Sequence, residues 1–197
     1  MTAQNILFND GWQFCLCDIG TELSALPGRH WYDVELPHDW LINDTSKLYE
    51  TGEGWYRRSL PCSAEQLSGR VLLNFDGVYM NSTLFVNGKE AGSWTYGYSA
   101  FEHDITDFLH EGENELLLRV SHQSPNTRWY SGAGLYRPVW FHVLPEAHIA
   151  LNGVKLRTLD YRDPAVRVSL EASRPGAARA DVLDGGAVLA SAELTVG

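Results

Sequence analysis

The chain has 197 residues, 44% of them hydrophobic, which is enough for one large β domain or for one domain and part of a second. Its formal net charge is −10, and an acidic surface is repelled by nucleic-acid phosphates and by anionic membranes, so neither partner is expected. The first residues lack the basic and apolar regions of a secretory signal, and no apolar run is long enough for a transmembrane helix. These features favour a cytoplasmic protein.

Short β-rich runs separated by turn residues predict an all-β fold of the sandwich or barrel type. Asn87-Gly88 is the preferred pair for a tight hairpin turn. Asp104 is expected to cap one helical turn, Ile105–Leu109, and Glu111–Asn114 is expected to turn the chain into the next strand. The predicted strands in this part of the chain are Trp12–Cys17, Trp31–Leu36, Gly54–Leu60, Arg70–Phe75, Ser82–Val86, Lys89–Trp94, Phe101–Asp104, Asn114–Ser121 and Val139–Leu144.

A domain boundary is predicted near Ala147, because tryptophan occurs seven times before this point and never after it. The predicted strands that follow are Ile149–Leu159, Ala165–Ala172, Ala178–Leu183 and Val188–Thr195, with Gly185-Gly186 as the turn between the last two. Four strands make about half of an immunoglobulin-like sandwich. We therefore expect one domain over residues 1–146 and a truncated immunoglobulin-like domain over 147–197.

The three cysteines, Cys15, Cys17 and Cys62, are interpreted as buried or half-buried thiols in a reducing compartment. A directly linked C-x-C pair would be strained, and no Cys or His cluster completes a zinc site. No phosphate loop or dinucleotide fingerprint occurs, so no metal and no cofactor are expected.

Two pairs of side chains are candidates for catalytic groups. His38 and Asp39 are adjacent in "LPHDW", but neighbouring residues of a strand face opposite ways, and no nucleophile-elbow serine accompanies them. Glu102 and Asp104 share one face of a strand as a carboxylate pair, but they lie in no recognisable cleft motif. Neither pair is expected to be catalytic, although a substrate-facing role for "LPHDW" stays open.

The segment "RWYSGAGLYRPVW", 128–140, combines aromatic rings and arginines with two glycines. The glycines permit a sharp bend at a sandwich corner. Rings that stack on sugars and guanidinium groups that donate to hydroxyls also suit a carbohydrate contact. The residues alone leave both interpretations open.

Several motifs in one order resemble the N-terminal sugar-binding domain of family 2 glycoside hydrolases, with the β-galactosidase branch as the best match. They are "LPHDW", "GWYRR", "FDGV" followed by "NG", "DIT" followed by "GEN", and "RWYSGAGLYR". The resemblance implies a jelly-roll β-sandwich followed by an immunoglobulin-like sandwich and then a β/α barrel with two catalytic glutamates. The whole enzyme would be a retaining exo-β-glycosidase. This chain would lack the glutamates and be inactive alone.

In this family, loops of the sandwich help to bind the terminal sugar in the mouth of the barrel. The resemblance therefore implies a substrate-binding set, in which Arg128 replaces an acidic or amide residue of some relatives and is expected to donate to sugar hydroxyls. The set comprises Arg128, Trp129, Tyr130, His38, Asp39 and Glu53.

Two other functions remain as alternatives: a stand-alone carbohydrate-binding module, and a structural domain that supports the barrel or an oligomer interface. The expected partners are a carbohydrate ending in a β-galactoside or a related sugar, the downstream barrel, and a second copy in a homo-oligomer.

Overall fold

The computed structural model of the chain describes residues 3–42, 44–125 and 132–196. Within these residues it contains fourteen strands and short 3-10 helices, which confirms the predicted all-β fold. The chain divides into two compact units, Met1–Val143 and Leu144–Gly197. The division falls at Leu144.

The first unit contains two sheets. The four-stranded sheet has the order β1-β10-β5-β8, and the six-stranded sheet has the order β3-β2-β4-β9-β6-β7, in which every neighbouring pair is antiparallel. The strands are β1 Gln4–Leu7, β2 Trp12–Cys17, β3 Tyr32–Val34, β4 Gly52–Cys62, β5 Arg70–Phe75, β6 Ser82–Val86, β7 Lys89–Trp94, β8 Phe101–Asp104, β9 Gly112–His122 and β10 Val139–Leu144. The 3-10 helices are Leu23–Ala25, Thr45–Lys47, Gln66–Ser68 and Thr106–Phe108.

The core lies between these two sheets, as in a β-sandwich. Alternate residues of β5 and β10 meet alternate residues of β4, β6 and β9, because successive side chains of a strand point to opposite faces. The side chains buried from the two sheets include Val71, Leu73, Phe75, Val139, Phe141, Tyr56, Leu60, Leu84, Val86, Leu116, Leu118 and Val120.

Most strand predictions are confirmed, and the hairpin at Asn87-Gly88 has positive φ at both residues (51° and 76°). The predicted turn Glu111–Asn114 is wrong in extent, because Gly112 already opens β9 at φ 94° and pairs with Cys62. The helical turn is the shorter 3-10 helix Thr106–Phe108, and Asp104 Oδ1 accepts from Thr106 N at 3.0 Å. Strand β1 was not predicted.

The face of the six-stranded sheet that points away from the core has a second, smaller cluster. Cys15, Cys17, Trp55 and Leu117 are buried there with Leu26, which belongs to the segment between β2 and β3. Cys15, Cys17 and Cys62 are all free and buried, which confirms their interpretation as thiols, and the Sγ atoms of Cys15 and Cys17 lie 3.6 Å apart.

The second unit consists of two antiparallel hairpins. Its strands are β11 Ile149–Asp160, β12 Ala165–Ala172, β13 Gly176–Asp184 and β14 Ala187–Val196. β11 pairs with β12, and β13 pairs with β14 through the predicted turn, in which Gly185 and Gly186 both have positive φ. Among the residues described in both units, no helix is long and apolar enough to cross a membrane.

Candidate functional site

The segment after β3 and the segment before β10 meet at one end of the sandwich. His38 N donates to Leu135 O at 2.8 Å, and Trp40 N donates to Ala133 O at 3.1 Å. On the other side, Gly134 and Tyr79 exchange two backbone hydrogen bonds of 2.9 and 3.0 Å. The stretch 132–135 is therefore held between two other chain segments. We call it the glycine bend.

Only glycine fits at position 134. Its φ is 129°, and a Cβ built there would lie 2.5 Å from the carbonyl oxygen of His38 and closer still to the hydroxyl of Tyr56. Gly132 also has a positive φ, 80°, and a Cβ there would lie 3.0 Å from Oδ2 of Asp39. These close approaches give the two glycines of "SGAG" a structural role at a sandwich corner.

Asp39 ties the two segments together. Its Oδ1 accepts hydrogen bonds from Leu41 N at 2.9 Å and from Ala133 N at 3.2 Å. Hydrogen bonds from backbone N–H groups to a carboxylate are charge-assisted and stronger than those between neutral groups. Asp39 thus fixes the chain at Ala133, in the first half of the glycine bend, which is separated from Arg128, Trp129 and Tyr130 only by Ser131 in sequence.

His38 points towards the core side of the six-stranded sheet. Its Nδ1 lies 2.8 Å from the hydroxyl of Tyr56, and its ring packs against Phe14 at 4.9 Å between centroids. Burial lowers the pKa of His38, against the opposing effect of the Asp39 charge, and burial raises the pKa of Tyr56 well above its ordinary value. The imidazole is therefore neutral near pH 7 and positions the "LPHDW" segment.

Glu53 lies on the opposite face of the same sheet. A Cβ on Gly54 would meet Trp40 and Phe14 on the core side, so Glu53, its neighbour in β4, points outwards. Glu53 is 2% exposed, and its carboxylate accepts from Trp55 Nε1 at 3.0 Å and from Gly20 N at 3.3 Å. The structure thus brings Asp39 and the glycine bend together but separates Glu53 from them. The predicted contacts of Arg128, Trp129 and Tyr130 lie outside the described residues.

Sequence reasoning did not single out a group of tyrosines beside the glycine bend. Tyr79 pairs with Gly134, and its ring lies 5.2 Å from that of Tyr98, which lies 5.8 Å from Tyr96. Tyr96 and Tyr98 are 60% and 53% exposed, and Tyr136 Oη donates to Gly97 O at 2.7 Å. The signal that could have found them is "TYGYS", in which two tyrosines flank a glycine.

Several known proteins resemble this chain. Residues 30–145 match the model of "Glycosyl hydrolases family 2, sugar binding domain". A β-galactosidase of Bacteroides ovatus is 38% identical over 77% of this chain and 19% of its own length. A β-glucuronidase of Bacteroides fragilis is 30% identical over 89% of this chain and 25% of its own length.

The fold is shared with solved structures as well. A family 2 glycosyl hydrolase of Bacteroides cellulosilyticus superposes with a TM-score of 0.81 and 30% identity, over 98% of this chain and 29% of that one. The chain spans about a fifth of the length of the first curated relatives that it matches (18% and 19%). The chain belongs to family 2 of the glycosyl hydrolases and contains that family's sugar-binding domain.

Proposed function

We propose that this chain is the non-catalytic, sugar-binding part of a retaining exo-β-glycosidase of the β-galactosidase type. In this proposal, the sandwich end formed by the "LPHDW" segment, Tyr79 and the glycine bend shapes the sugar site of a β/α barrel elsewhere in the enzyme. The barrel supplies the two carboxyl groups that perform the hydrolysis. The observation that carries the proposal is the anchoring of the glycine bend by Asp39.

Each predicted residue then has a separate part. Asp39 positions the glycine bend, and His38 holds the "LPHDW" segment against Tyr56. Arg128 donates to sugar hydroxyls, while Trp129 and Tyr130 provide flat apolar surfaces for the C–H face of the ring. The exposed rings of Tyr96 and Tyr98 extend this aromatic surface. Glu53 faces away from the glycine bend and has no part in this site.

The proposal also covers the second domain, the cellular compartment and the oligomeric state. We assign residues 147–197 to part of an immunoglobulin-like domain, which is supported by their two antiparallel hairpins. Three buried free thiols fit a reducing compartment, so we place the enzyme in the cytoplasm. A homo-oligomer also remains a prediction.

Steady-state kinetics of the enzyme that contains this chain test the proposal, with a nitrophenyl β-galactoside as substrate. Asp39→Ala releases Ala133 N and Leu41 N, so we expect KM to rise about tenfold while kcat changes much less. Asp39→Asn keeps an acceptor oxygen and should recover part of the loss. Asp107→Ala removes an exposed acid from the 3-10 helix Thr106–Phe108 and is the matched control.

The kinetic outcomes are distinct. An unchanged KM in folded Asp39→Ala would remove the glycine bend from the sugar site. Hydrolysis of the corresponding β-glucuronide in preference to the β-galactoside would leave the site in place but replace the proposed substrate class.

A further inference from the structure

A cavity of about 400 Å³ lies on the outer face of the six-stranded sheet, separate from the glycine bend. Its floor comes from β4, β9, β6 and β7, and its rim includes Ile19 and Gly20 after β2. Most lining side chains are polar. The lining residues are Ile19, Gly20, Glu53, Asn81, Ser82, Thr83, Ser93, Thr95, Arg119 and Ser121. We call this the outer cavity.

The strand register explains why these polar groups converge. Thr83 of β6 lies directly opposite both Arg119 of β9 and Ser93 of β7, and Glu53 of β4 lies opposite Ser121 of β9. Side chains directly opposed in an antiparallel pair lie within about 5.5 Å of each other on one face of the sheet. Four strands thus contribute a carboxylate, a guanidinium and three hydroxyls to one small area.

Two of these polar side chains are almost completely buried. Glu53 is 2% exposed and Thr83 is 6% exposed. Arg119 Nη2 donates to Thr83 Oγ1 at 3.1 Å, and its guanidinium lies 6.0 Å from the ring centre of Trp55, which in turn donates to Glu53. A polar group is costly to bury without partners, and these contacts provide partners for Glu53 and Thr83 beneath the outer cavity.

The chemistry of the cavity selects its ligand class. Arg119 has further N–H donors beyond the one that Thr83 accepts, and the carboxylate of Glu53 has lone pairs beyond those used by Trp55 and Gly20. One positive and one negative side chain leave the lining without a net charge, which disfavours an ionic ligand. The hydroxyl groups of a neutral ligand can donate to a carboxylate and accept from a guanidinium group. Ile19 at the rim is 42% exposed and offers an apolar contact.

We propose that the outer cavity binds one neutral sugar ring, with Glu53 and Arg119 as the paired acceptor and donor and with Thr83 and Ser93 as further hydroxyl partners. This site lies on the face of the sheet opposite to Tyr56 and His38. It therefore provides sugar binding independent of the proposed hydrolytic site, and it accounts for Glu53, which the glycine bend does not use.

Amide chemical-shift mapping on the 197-residue chain tests this proposal with galactose, glucose and mannose as neutral probes and glucuronate as an anionic one. We expect saturable shifts at Thr83, Ser93, Arg119 and Ser121 with the neutral sugars. Thr83→Val keeps the shape of the side chain but removes its hydroxyl, and it should weaken binding about tenfold. Thr158→Val changes an exposed strand threonine of the second unit and should have no effect.

Ser93→Ala, on the edge strand β7, keeps the test decisive if Thr83→Val does not fold. It should also weaken binding. These shifts are read at the outer cavity and not at residues 132–135, so failure of the hydrolytic proposal would not affect this result. The proposal is overturned if neutral sugars cause no saturable shifts around the outer cavity, if the shifts map to residues 132–135 instead, or if only glucuronate binds.

Discussion

Gly134→Ala should be strongly destabilising, because the added methyl group has no room and the backbone conformation disfavours it. A φ of 129° is a region that non-glycine residues enter at a cost of about 1–3 kcal/mol. The new Cβ would also approach the His38 carbonyl at 2.5 Å and the fully buried Tyr56 hydroxyl. Forcing atoms into a packed site costs about another 1–3 kcal/mol. We expect a total loss of about 4 kcal/mol.

Urea unfolding followed by tryptophan fluorescence measures this loss in the first unit alone, because all tryptophans precede residue 147. With a slope of about 2 kcal/mol per molar urea, the midpoint should fall by about 2 M. Gly88→Ala is the matched control: its φ is also positive, 76°, but a Cβ there would meet nothing within 4 Å. It should cost only about 1 kcal/mol. Equal losses in the two variants would refute the close-approach argument.

Three further predictions concern the first unit. Asn87→Gly keeps the hairpin turn but removes the hydrogen bonds from Nδ2 to Phe108 O (2.9 Å) and to Asn114 Oδ1 (2.8 Å). The free energy of unfolding, measured by thermal unfolding, should therefore fall by about 2 kcal/mol, and an unchanged midpoint would contradict this. Burial lowers the pKa values of His38, His103 and His142 below the ordinary histidine value of 6.5. Below pH 6.5 the unfolded chain therefore binds more protons than the folded chain, and the free energy of unfolding should decrease as the pH falls through 6.5. His38→Gln should reduce this pH dependence in urea titrations, and an identical slope would count against a buried neutral His38. Burial is the main cause, and the neighbouring Cys15 the second, that raises the pKa of Cys17 to about 11. Iodoacetamide should therefore label this thiol only after unfolding. Rapid labelling of Cys17 in the native chain would contradict its burial.

The strands with strong local signals could be predicted from sequence. Ser82–Val86 and Lys89–Trp94 have the predicted bounds, because Asn87-Gly88 specifies their connection. Gln4–Leu7 carries no such signal: all four residues are exposed, so no buried-exposed alternation marks the strand. The full length of β4 could not be predicted either, because a proline such as Pro61 usually marks the end of a strand, yet Pro61 still pairs with Glu113.

The candidate site was only partly predictable for a similar reason. "LPHDW" drew attention to Asp39, but its partner Ala133 lies 94 residues away, and only the folded chain places the two together. Strand alternation predicts that Glu53 and Gly54 face opposite ways, but not which of them faces the core. The outer cavity depends on the register of four strands that are distant in sequence, so no local sequence pattern predicts it.

A crystal structure of the enzyme that contains this chain, with a galactose-configured covalent inhibitor on the barrel nucleophile, tests the central claim most directly. The account predicts that the glycine bend and the "LPHDW" segment face the bound sugar, with residues 128–130 or the tyrosines beside Tyr79 in contact with its hydroxyls or its ring. A bound sugar that contacts none of these segments, with this end of the sandwich turned towards solvent, would contradict it.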